Sequence, residues 1–341
     1  MTERVQLFQE FLGSGPWADS SVAALAGDAS RRRYHRLKDR STGRCAIAMD
    51  APPEAGEDVR PFLKVAAYLR DLELSAPEIY AADETNGFLI LEDFGRDLYD
   101  VVCARKPHLE TELYDAAVDV LIHIASSTPL DGAADYGPLM TDLALSCYRW
   151  YAEPVLSHDM SSEREAARTV LTPLIAALGH GRVTILRDYH AQNLLWLPDR
   201  AGPSRVGLLD FQDAMLSHPA YDVISLTTDA RRDVPVEVQK RCLARFSDGL
   251  NLNPVDFNRE AAICSVQRNL RILMIFARMS LHFSRPHYVD LIPRVWGHLQ
   301  RDLDHPDLSS LAHLIRTHLP EPTKETLQCL KEKCGTIPTL Q

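Results

Sequence analysis

Asp188 is followed five positions later by Asn193, and Asp210 comes after a further apolar stretch. The two segments read Leu186-Arg187-Asp188-Tyr189-His190-Ala191-Gln192-Asn193 and Leu208-Leu209-Asp210-Phe211-Gln212-Asp213. A carboxylate that only accepts hydrogen bonds can take the proton of a hydroxyl, while an amide oxygen and a second carboxylate are hard ligands suited to magnesium. Transfer of a phosphoryl group from ATP needs those parts. A bare Asp-x-x-x-x-Asn also arises by chance, from a turn Asp with an unrelated Asn. Here the spacing follows an apolar patch at 183–186, leads into a pair of short strands and has Asp-Phe at the second site. That context points to phosphoryl transfer.

The elements that would position these groups can be read along the chain. Residues 22–25, 34–38 and 45–49 have strand character, the last two joined through Ser41-Thr42-Gly43. After Ala51-Pro52-Pro53-Glu54, a helix is expected over 58–72, with Phe62, Val65, Ala66 and Leu69 at helical spacing. Strands at 79–82 and 88–91 flank Asn86-Gly87, a strong hairpin signal. Three strands, a helix and two more strands make a small five-stranded antiparallel lobe. Beyond Asp93-Phe94-Gly95 helices dominate, at 110–126, 141–153 and 162–178. Strands at 193–197 and 206–209 follow, and residues from Tyr221 onward read as mostly helix. The expected class is α+β with two lobes, 1–94 for nucleotide and 95–341 for the catalytic loop and acceptor.

Bulk composition narrows the function. Hydrophobic residues at 45% with 25% charged residues are those of an ordered globular chain, and a net charge of -10 argues against a general nucleic-acid binder. Met1-Thr2-Glu3-Arg4 lacks a signal-peptide core, and no apolar run approaches the roughly 20 residues of a membrane span. The apolar stretch 270–283 is broken by Arg271 and Arg278 and reads as a packed helix. Seven scattered cysteines fit a reducing, cytoplasmic setting, and Cys329 and Cys334 read as ordinary thiols rather than a zinc site. No membrane or nucleic-acid partner is expected, and the oligomeric state is open.

The loop Asp188-Tyr189-His190-Ala191-Gln192-Asn193 resembles the D-x-H-x-x-N loop of the aminoglycoside phosphotransferase and choline kinase group. The order of Asp188, Asn193 and Asp210 also matches protein kinases, where a lysine stands at the place of His190. Further segments resemble bacterial N-acetylmuramate/N-acetylglucosamine anomeric kinases: Gly27-Asp28-Ala29-Ser30-Arg31-Arg32-Arg33-Tyr34, Met49-Asp50-Ala51-Pro52-Pro53-Glu54, His218-Pro219-Ala220-Tyr221-Asp222, Asp229-Ala230-Arg231-Arg232-Asp233-Val234 and Arg268-Asn269-Leu270-Arg271-Ile272. The resemblance implies a protein-kinase-like fold, ATP and Mg2+ as cofactors, and an amino sugar as the small-molecule acceptor in cell-wall recycling. It implies Asp188 as base, Asn193 and Asp210 as magnesium ligands, and His190 as a catalytic-loop group. His190 could equally serve as a loop-stabilising donor.

Nucleotide contacts are expected from Gly27, Asp28, Ala29, Ser30 and Arg31, where small residues let backbone N–H groups approach phosphate. A plain hairpin turn and a solvated charge run are the alternatives for these residues. Adenine is expected along the backbone of Glu92, Asp93 and Phe94. Cys45-Ala46-Ile47-Ala48-Met49-Asp50 carries no lysine where kinases have one, so which arginine serves instead stays open, as does the glutamate that would pair with it. Asp222 would either brace the catalytic loop or simply favour a helix N-terminus. Arg268, Arg271 and Arg278 share a helical face and would meet a substrate carboxylate or form structural ion pairs. An aminoglycoside antibiotic kinase is the second enzymatic reading, and a nucleotide-binding pseudokinase module the non-enzymatic one.

Overall fold

The computed structural model describes residues 3–25, 31–179 and 181–338. Gly27, Asp28, Ala29 and Ser30 lie outside them. Packing divides the chain into two compact units, residues 1–120 with 191–214, and residues 121–190 with 215–341.

In the first unit, α1 (Glu3–Gly13) precedes the strands β1 (Ser20–Ala24), β2 (Arg33–Asp39) and β3 (Cys45–Asp50). Helix α2 (Arg60–Asp71) and strands β4 (Ile79–Asp83) and β5 (Phe88–Glu92) follow. The sheet has the order β1-β2-β3-β5-β4 with every neighbour antiparallel. Alternation along β2 sends Leu37 to one face, where it packs with Ala46, Ala48 and Ile90 against Leu12 and Phe8 of α1. Helix α2 buries Phe62, Val65, Ala66 and Leu69, the positions that the helical spacing singles out.

The β4–β5 turn depends on a glycine. Gly87 has φ +73°, its carbonyl accepts from Ala51 N–H at 2.9 Å, and a Cβ there would stand 2.0 Å from the Ala51 carbonyl oxygen. Any side chain must push this backbone contact apart.

Helices α3 (Tyr99–Arg105) and the start of α4 (Glu110–Ser126) belong to the same unit, together with β7 (Leu194–Trp196) and β8 (Val206–Leu208). The boundary expected at 94/95 marks the end of the sheet, whereas the packing carries the first unit further. The cause is backbone pairing: Leu208 N–H donates to Ser75 O at 2.8 Å and Trp196 N–H to Asp97 O at 2.8 Å. These bonds draw the β7–β8 hairpin into the unit that holds the sheet.

The second unit contains α5 (Gly137–Cys147), a π-helical turn at Tyr148–Ala152, α6 (Glu153–Leu156), α7 (Ser161–Ala176) and β6 (Val183–Ile185). Later in the chain come β9 (Met215–Ser217), α8 (Ala220–Thr227), α9 (Val236–Gly249), α10 (Pro254–Leu281), α11 (Ile292–Asp302), α12 (Ser309–His318) and α13 (Lys324–Glu332). Helix α10 runs 28 residues through the core; Asn253 caps its start by accepting from Val255 N–H and Asp256 N–H. The helix expected over 141–153 starts earlier, since Pro138 and Asp135 open it: Asp135 Oδ1 accepts from Gly137 N–H at 2.9 Å. No helix among the described residues is long and apolar enough to cross a membrane.

Gly87→Ala is expected to lower unfolding stability by about 1–3 kcal/mol, as overpacking against fixed backbone does. Urea denaturation followed by circular dichroism checks this; an unchanged midpoint would show that the turn gives way without cost.

Candidate active site

The β7–β8 hairpin carries Asn193 and Asp210, two of the residues expected to do chemistry. Leu194 pairs with Leu208, so Asn193 sits just before one strand and Leu209 just after the other. Leu209 N–H donates to Asn193 O at 3.0 Å, which closes the ladder and sets Asp210 beside Asn193. Their side chains meet, Asn193 Nδ2 to Asp210 Oδ2 at 3.5 Å, while Gln212 Nε2 donates to Asp210 Oδ1 at 2.8 Å. Asp210 takes the left-handed conformation, φ 56°, rare for a residue with a Cβ and concentrated where side chains are aimed for function. Phe211 turns inward and stacks on Phe62 of α2, ring centroids 4.8 Å apart. One residue anchors the segment while its neighbour stays exposed.

This donor set fits magnesium. The ion keeps several waters and takes one or two carboxylates plus phosphate oxygens rather than a full protein cage. Asn193 and Asp210 offer an amide oxygen and an exposed carboxylate, and the described residues contain no denser group of His, Cys, Asp and Glu.

In the second unit, the loop after β6 carries Asp188. Arg187 has φ 70°, a second left-handed residue, immediately before Asp188. Both sides of it are gripped by α8: Asp222 accepts from Leu186 N–H at 2.5 Å and Arg187 N–H at 2.9 Å, and Ser225 Oγ donates to Arg187 O at 3.3 Å. Asp222 is thus the brace of this loop as well as an acid in the first turn of α8. Burial pushes its carboxyl up to about 7, against the pull of those two N–H groups and the influence of Arg268.

His190 is buried, and Arg231 Nη1 lies 3.2 Å from its Nε2. A guanidinium only donates, so Nε2 accepts and the ring is neutral with its proton on Nδ1. Burial lowers the pKa of His190 in the same sense. On α10, Arg268 donates to Ser225 Oγ at 2.8 Å and Thr228 O at 3.4 Å, and Arg271 to the Tyr221 hydroxyl at 3.4 Å. Arg268 and Arg271 also feel the Asp188 charge, whereas Arg278 lies over the Trp150 and Phe283 rings.

Around the sheet end, Arg36 forks onto Asp93 at 2.6 and 2.9 Å and reaches Gly95 O at 2.8 Å. Arg200 bonds Glu92 at 2.5 Å and lies over the Phe94 ring. The side chains of 92–94 are therefore occupied. Arg31 donates to Ala55 O at 3.1 Å.

The phosphotransferase enzyme family profile matches residues 21–261, across most of this geometry. The chain belongs to that family. An N-acetylmuramate/N-acetylglucosamine kinase of Caulobacter vibrioides is 35% identical, with 95% of this chain and 99% of the relative covered. Among solved structures, a choline/ethanolamine kinase family protein from Mesorhizobium loti superposes with TM-score 0.61 at 14% identity, covering 92% of this chain and 99% of that one. An ADP-bound aminoglycoside phosphotransferase superposes with TM-score 0.58 at 12% identity, covering 86% and 98%. These likenesses show the protein-kinase-like fold expected from the motifs.

In this phosphotransferase, three positions escaped the sequence reading: the left-handed Arg187, its clamp Ser225, and Glu57, which accepts from Arg31 N–H and Arg32 Nε. A polar residue one turn after Asp222 on the same helix was the available signal for Ser225.

Asp222→Asn would leave one of two buried N–H donors facing an amide NH2, a loss of about 1–3 kcal/mol. If the brace positions the loop for catalysis, kcat falls about tenfold to hundredfold while nucleotide affinity stays within about twofold. Steady-state kinetics beside calorimetric nucleotide titration test it; wild-type kcat would remove the role.

Proposed function

We propose that this phosphotransferase moves the γ-phosphate of ATP onto the anomeric hydroxyl of N-acetylmuramate or N-acetylglucosamine, in the cytoplasm, as a step of cell-wall recycling. The observation that carries the acceptor is the kinase of those two sugars that is 35% identical along 95% of this chain. The charge around Asp188 supports it. Arg268, buried, and Arg271, part-buried, both feel the charge of Asp188 and suit an acceptor that carries a carboxylate, as N-acetylmuramate does, and oppose a polycationic aminoglycoside.

Asp188 orients the acceptor hydroxyl and takes its proton as the bond to phosphorus forms. The Asp222 brace holds the backbone ahead of Asp188, so little reorganisation is needed in the transition state. Neutral His190, its Nε2 turned to Arg231, acts as a positioning group of the loop rather than a proton carrier. Asn193 and Asp210 hold magnesium, which when bound neutralises charge on the β- and γ-phosphates. Residues 1–94 carry the nucleotide contacts, with Gly27, Asp28, Ala29 and Ser30 at the phosphates and the backbone of Glu92, Asp93 and Phe94 at adenine. Residues 95–341 carry the catalytic loop and acceptor site. Nucleic acid and membrane have no part in this reaction.

Purified enzyme with magnesium and ATP is expected to yield sugar 1-phosphate from at least one of the two sugars, read by 31P NMR. Asp188→Asn should lower kcat at least about a thousandfold while ATP still binds. Turnover on some other alcohol but neither sugar would remove the acceptor, and an active Asp188→Asn enzyme would remove the base.

A further inference from the structure

We infer that Arg32, anchored by Glu57, is the cation that contacts the nucleotide phosphates in place of the absent strand lysine. This rests on ATP being the donor. Strand register supplies the first argument. Tyr34 pairs with Met49 and Arg36 with Ile47, so these side chains share the sheet face opposite the one that Leu37, Ala46 and Ala48 turn toward α1. The same alternation sends Arg32 to the face of Tyr34 and Met49, and Arg33 to the other. Met49 lies at the end of β3, where a phosphate-contacting lysine would stand, and it is fully buried.

The second argument is how Arg32 is held. Its Nε donates to Glu57 Oε2 at 2.8 Å, and the two side chains are only 11% and 15% exposed. Glu57 Oε1 accepts from Arg31 N–H at 3.1 Å, so one carboxylate fixes both the backbone and the guanidinium at the entry to β2. The Tyr34 hydroxyl also bonds the Arg32 side chain, on the sheet face that carries Met49. A guanidinium bonded to Glu57 through Nε and to the Tyr34 hydroxyl still has outer N–H groups that suit phosphate oxygens. The other arginines of this segment are spent elsewhere: Arg31 on Ala55 O, Arg36 on Asp93, and Arg33 is 67% exposed beside Asp50. Glu57 then acts as the positioning residue, the part a helix glutamate plays toward a strand lysine.

The test is the affinity of ATP, ADP and AMP for the full-length enzyme with magnesium, by calorimetry, beside steady-state kinetics. Arg32→Gln is expected to weaken ATP about tenfold to hundredfold and leave AMP within about twofold. Arg32→Lys should recover part of the ATP affinity, Glu57→Gln should weaken ATP about threefold to tenfold, and Arg33→Gln should match wild type. Equal losses for ATP and AMP, no recovery with lysine, or unchanged ATP affinity in Arg32→Gln overturns the assignment. If Arg32→Gln does not fold, Glu57→Gln decides alone: wild-type ATP affinity in that variant overturns it. A wild-type enzyme that binds ATP no better than AMP overturns the donor reading and this inference with it. Wild-type preference for ATP with an indifferent Arg32 overturns only this one.

Discussion

The Asp222 carboxylate, buried at the start of α8 and accepting from two successive backbone amides, is the constraint on which the loop ahead of Asp188 depends. A left-handed backbone at Arg187 costs roughly 1–3 kcal/mol unless neighbours over-determine it. Here Asp222 holds the amide and Ser225 the carbonyl of the same residue. Both backbone polar groups of Arg187, the residue ahead of Asp188, are thus committed. Asp210, the other left-handed residue of the constellation, is held differently, by a hairpin on one side and the Phe211–Phe62 stack on the other. In each case an apolar or hydrogen-bonded anchor next in sequence leaves the chemical side chain aimed.

Charge follows a similar economy. Strand β3 ends in apolar Met49 and Asp50, and the arginine just ahead of β2, Arg32, is paired with Glu57. On α10, Arg268 is buried and Arg271 part-buried; their hydrogen bonds go to hydroxyl and carbonyl oxygens, and both feel the charge of Asp188.

Much of this was legible in the sequence because local chemistry decided it. The five strands, α2 with Phe62, Val65, Ala66 and Leu69, the Asn86-Gly87 turn and helix 110–126 all follow from periodicity and turn residues. The pairing of Asn193 with Asp210 follows from two short strands flanking a turn. Helix α1 escaped notice because only Leu12 of its residues is buried, so its apolar stripe is weak. Strands β6 and β9 have three residues each, too few to show alternation. The Glu57–Arg32 pair and the Asp222 clamp join residues 25 and about 35 positions apart, and no spacing rule reaches that far.

The central claim is that Asn193 and Asp210 hold the metal of a nucleotide complex. Electron paramagnetic resonance of Mn2+, titrated into enzyme with a non-hydrolysable ATP analogue, measures it directly. Wild type is expected to bind the ion with the analogue, and Asp210→Asn to weaken that binding at least about tenfold while remaining folded. Equal Mn2+ affinity in wild type and Asp210→Asn would contradict the account.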